Sequence, residues 1–209
     1  MLQKGEKNID IEIGYLKKPD FVTSDFPILL SEHENLHMIN FSMLQIPSFE
    51  KEDFIQLLFS LISPPLAMYM ELNEDDEKDF ENQLIQKNID FIKKINTKNK
   101  CLFEIIIREP MDFKKIMDEF IYQICLGNQV FFSTDKSNLQ FFEKNNVVGF
   151  SKSEVIYTDI KIKKDTSVLF IGNDANEMFL LTKKVGFANI KEVESLLPSF
   201  IQFTHRDFE

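Results

Sequence analysis

Leu66-Ala67-Met68-Tyr69-Met70-Glu71-Leu72 and Leu102-Phe103-Glu104-Ile105-Ile106-Ile107 are two apolar runs separated by the acid-rich polar stretch that begins at Asn73. Each run has strand length and too little polar surface for a water-facing side, so each reads as a strand covered on both faces. Between them Phe80, Leu84, Ile85, Phe91, Ile92 and Ile95 recur at a helical period, which predicts one long helix over 74–97 behind an Asn73 cap. Pro110 opens a second helix over 110–126, with Phe113, Ile116, Met117, Phe120, Ile121 and Ile124 inside and Gly127-Asn128 closing it. Val130-Phe131-Phe132-Ser133 is a third strand. Strand, helix, strand, helix, strand predicts a central parallel βαβαβ unit over residues 66–133, with strands 66–72, 101–107 and 129–133 adjacent in one sheet.

Upstream, Ile9, Ile11, Ile13 and Tyr15 alternate with polar residues as a half-buried strand does. Ser48 caps a helix running to about Ile62, with Phe54, Leu57, Leu58 and Leu61 on one face and Pro64-Pro65 ending it. Phe26 to Ile46 allows two readings. A hairpin sets Pro27–Leu30 against Leu36–Ile46 around the tip Glu32-His33-Glu34-Asn35; a helix starts at Ser24 or Asp25 with Pro27 in its first turn. The alternation Ile39-Asn40-Phe41-Ser42-Met43 favours the hairpin.

Downstream, a short helix over Asp135–Glu143 is followed by the strands Val147–Phe150, Glu154–Ile162 and Ser167–Ile171. Asp174 with Glu177 fits a capping box, but Asn173-Asp174-Ala175-Asn176 equally fits a hairpin tip. The unbroken run Met178–Leu181 has no helical face and favours the hairpin. Asn189 with Glu192 opens a last helix, from Ile190 to about Phe203, disturbed at Pro198. The expected architecture is a single domain over 1–209 of α/β (or α+β) class. It has a mixed sheet around the parallel unit, an N-terminal antiparallel strand or hairpin, and a C-terminal part of short strands and helices. A division near residue 134, into 1–134 and 135–209, is the alternative.

Composition narrows the function classes. The chain carries 24 Lys+Arg against 34 Asp+Glu, a net charge of −10, and only Arg108 and Arg206 are arginines. Nucleic-acid binders cluster cations to neutralise phosphates, so no nucleic-acid partner is expected. Two cysteines, Cys101 and Cys125, form neither a disulfide framework nor a metal-ligand pair. The N-terminus lacks the apolar core of a signal peptide, and no 18-residue apolar run occurs. A soluble cytoplasmic protein is expected. The six glycines form no phosphate-binding loop.

His33-Glu34-Asn35-Leu36-His37 is a literal H-E-x-x-H. On a helix that spacing puts both imidazoles on one face toward a zinc, with the intervening Glu polarising its water. The flanks, uncharged at Ser31, Asn35 and Leu36 and apolar at Met38 and Ile39, partly resemble the zincin metallopeptidase pattern. The resemblance implies His33 and His37 as ligands and Glu34 as general base. Glu71, which begins an E-x-x-x-D with Asp75, would then be the third ligand. Only 32 residues precede His33, fewer than the strands such enzymes place before this helix require. A hairpin tip here would leave the imidazoles unaligned, and a solvated turn with no bound cofactor is the reading preferred.

From Glu71 to Glu81 seven acids face a single cation, Lys78. Acids at a helix start complement the macrodipole; they also form a patch suited to a basic partner. With no complete catalytic set in view, the leading expectation is a soluble acidic binding protein, an inhibitor or immunity-type partner of a basic protein. Glu74, Asp75, Asp76 and Glu77 are its candidate binding residues. A zinc-dependent hydrolase built on His33, Glu34 and His37 is the alternative.

Overall fold

The computed structural model describes residues 9–15, 28–30, 34–43, 51–116, 129–148, 151–171 and 177–205. Among the described residues twelve strands form two sheets. The larger has nine strands in the order β12-β1-β3-β11-β10-β7-β4-β6-β5, and the smaller has three in the order β2-β9-β8. Their ranges are β1 Ile9–Tyr15, β2 Ile28–Leu30, β3 His37–Met43, β4 Leu66–Asn73, β5 Phe91–Asn96, β6 Lys100–Ile107, β7 Val130–Ser133, β8 Leu139–Val148, β9 Ser151–Ile160, β10 Ser167–Ile171, β11 Glu177–Thr182 and β12 Ile201–His205. Among the described residues the helices are α1 Lys51–Leu61, α2 Glu74–Gln86, α3 over 110–116 and α4 Ile190–Leu196; residues 117–126 of the helix expected over 110–126 lie outside the described residues. The result is a mixed α+β fold.

The expected parallel βαβαβ unit is not what forms. β7, β4 and β6 are adjacent in one sheet, as their apolar density implies, but β4 is antiparallel to both neighbours. The cause lies in the segment read as one helix over 74–97. α2 stops at Gln86, Asn88 takes a left-handed φ of 53°, and residues 91–96 form β5, which returns as a hairpin onto β6. Since β6 opposes both, β4 and β5 run the same way with β6 between them. By the same reasoning β6 and β7 are co-directional with β4 between them. α2 thus links the co-directional β4 and β5 across β6, and the chain from β6 reaches its co-directional partner β7 across β4.

Period-two alternation sorts the side chains of the large sheet between two cores. Met68, Met70, Leu72, Cys101, Phe103, Ile105, Val130 and Phe132 pack with Leu57, Leu58 and Leu61 of α1, Phe80 and Leu84 of α2 and Phe113 and Ile116 of α3. Phe80–Phe103 and Phe113–Phe132 meet edge-on at 5.0 and 5.3 Å, pairs worth about 0.5–1.5 kcal/mol each beyond their burial. The opposite side chains, among them Tyr69, Leu102, Phe131, Phe170 and Leu181, pack with Ile28, Leu139, Ile156 and Ile160 of the small sheet. The layers are therefore helices, large sheet, small sheet. Cover on both sides explains why the central strands read as unpatterned apolar runs.

Other expectations resolve locally. The alternating residues 37–43 are a strand, as the hairpin reading requires, and Glu34-Asn35 is a turn. β2 and β3 do not pair, however: β2 joins β9 in the small sheet and β3 lies between β1 and β11 in the large one. β10 and β11 pair antiparallel, with Ile171 opposite Met178; their connection, 172–176, lies outside the described residues. The short helix expected over Asp135–Glu143 is one 3-10 turn, Lys136–Asn138, leading into β8. The last helix ends at Leu196, and after Pro198 the chain becomes β12, parallel to β1.

Candidate functional site

The acidic segment starts where β4 leaves the core. Asn73 is the α2 N-cap residue but makes no side-chain cap; instead the Glu74 N–H donates to Asn99 O at 3.1 Å. Phe80 and Leu84 face the core, and Glu74, Asp75, Asp76 and Asp79 are all exposed. None of these four side chains has an ion pair or hydrogen-bond partner among the described residues. Glu77 differs: Lys93 of β5 lies 2.7 Å from its Oε1 and also pairs with Glu81. These carboxylates raise the Lys93 pKa and clamp α2 to the sheet edge. Of the four expected binding residues, three are presented to solvent and Glu77 is engaged with β5.

The H-E-x-x-H residues have a different setting. Glu34 is exposed in the turn, next to Asn35 at φ 55°, and His37 begins β3; His33 lies outside the described residues. Glu34 in a turn and His37 in a strand share no helix. Alternation puts His37 on the helix-facing side with Ile39 and Phe41, whereas Glu71 shares the opposite face with Tyr69. Four strand steps separate β3 from β4, about 19 Å at the usual spacing. The structure does not bring Glu71 to His37. Glu71 is buried and pairs with Lys100. Among the described residues no three His, Cys, Asp or Glu side chains form a group that could hold a metal. No described helix is long and apolar enough to cross a membrane.

Sequence reasoning passed over the most buried charge among the described residues. Glu104 is 1 % exposed and faces the small sheet between Lys136, which pairs with its Oε1, and Lys94, whose Nζ lies 3.0 Å from its Oε2. Tyr69, opposite Glu104 in register, hydrogen-bonds to it. Burial alone would push the Glu104 carboxyl up, but the two ammonium groups outweigh it and hold the pKa below its ordinary value. Burial, followed by the Glu104 charge, drives the Tyr69 phenol well above its own. One group is held ionised and the other protonated, so neither is poised for proton transfer near neutral pH. The arrangement locks β4, β5, β6 and the 136–138 turn together. A lone acid inside Leu102-Phe103-Glu104-Ile105-Ile106-Ile107 was the available signal, because a charge in a doubly covered strand needs a partner.

Beside this lock, Gln129 lies opposite Glu71 and accepts its backbone N–H at 3.0 Å; the Thr158 hydroxyl of β9 reaches Gln129 Oε1 at 3.4 Å. At the far end of β7, buried Asn138 donates to Ser133 Oγ and accepts from the Lys163 N–H and the Thr166 hydroxyl. These bonds satisfy buried polar groups where strands end. The Cys101 thiol is buried and pushed up to about 12, chiefly by desolvation and then by the Glu77 charge, which leaves it protonated and inert. No protein-family model matches this chain, and no curated protein matches it either.

Proposed function

We propose that this is a stoichiometric binding protein that receives a basic protein partner on the first turn of α2. The observation that carries the reading is the contrast along one helix. Glu77 and Glu81 are taken by Lys93, while Glu74, Asp75 and Asp76 stand exposed and make no ion pair among the described residues. A chain of net charge −10 adds a long-range field of the same sign. Inhibition or immunity by direct contact fits this chemistry, since it needs a surface rather than reacting groups.

The test is a paired capture from native cytosol at low salt, using wild-type protein and the triple variant Glu74→Ser, Asp75→Asn, Asp76→Asn. Glu77 is left intact so that the Lys93 clamp survives. A basic protein retained by the wild type and lost from the variant supports the reading. Equal capture by both contradicts it.

A further inference from the structure

We draw no further inference here: the strongest candidate, the buried polar cluster between the two sheets in which Glu71 Oε2 has no hydrogen-bond partner, already has its carboxylates neutralised by Lys94, Lys100 and Lys136, so a cation would enter surplus positive charge, an anion would meet the open carboxylate oxygen, and nothing in the structure shows what else it would hold.

Discussion

Glu104 is the residue on which the interior electrostatics turn. Glu104→Gln keeps the shape, but it strips the charge from between Lys94 and Lys136 and weakens the Tyr69 hydrogen bond. A loss of about 1–3 kcal/mol is expected at neutral pH, read as a lower urea midpoint. Folding lowers this carboxyl's pKa, so the unfolded chain takes up the proton more readily. Its stabilisation is therefore complete above the ordinary carboxylate range and is lost as pH falls through the folded value. The gap between wild type and variant should close on acidification; a gap independent of pH would contradict the ion-pair account. Cys101 offers a second test. In a Cys125→Ser background its buried thiol should react with a thiol reagent only as fast as the protein unfolds, and rapid labelling of the native state would contradict its burial. For the histidines, freshly purified tag-free protein is expected to carry no stoichiometric zinc, and His37→Ala should leave metal content unchanged. Zinc at one per chain, lost in that variant, would revive the hydrolase reading.

Among the elements, α1, β4, β6, β7 and the pairing of β10 with β11 are legible in local pattern, α1 from its helical period and the strands as short, unbroken apolar runs covered on both faces. β5 is not. Phe91, Ile92 and Ile95 continue the spacing of Phe80 and Leu84 closely enough to pass for one helix, and no Gly or Pro separates them. What ends α2 is Asn88 in a left-handed conformation, which an Asn side chain tolerates without advertising it. The error propagates: removing the hairpin turns a strand that returns antiparallel into one that seems to arrive parallel. Asn88→Gly should change stability by no more than about 0.5 kcal/mol, whereas Asn88→Val should cost about 1–2 kcal/mol. A continuous helix predicts the reverse order, with Gly costing about 0.3 kcal/mol relative to Asn there and Val close to none. Equilibrium denaturation of the two variants decides between them.

For the molecule as a whole, the sequence showed the charge and hid the pairing. The nine-stranded sheet takes strands from both ends of the chain, with β12 beside β1 and β11 beside β3, and no local periodicity encodes which distant strands meet. The acidic start of α2 was visible because charge is read directly from residue type. That Lys93 claims Glu77 and Glu81 was not, because it depends on where β5 returns. The binding account makes one kinetic demand: steering by Glu74, Asp75 and Asp76 must act on encounter. The most direct measurement is the association and dissociation rate of the captured basic partner with wild-type and triple-variant protein, as salt rises from about 50 to about 500 mM. The account predicts a wild-type on-rate that falls steeply with salt. It also predicts a low-salt on-rate about three- to tenfold lower in the variant, with off-rates within about twofold. Identical on-rates and identical salt slopes for the two proteins would contradict it.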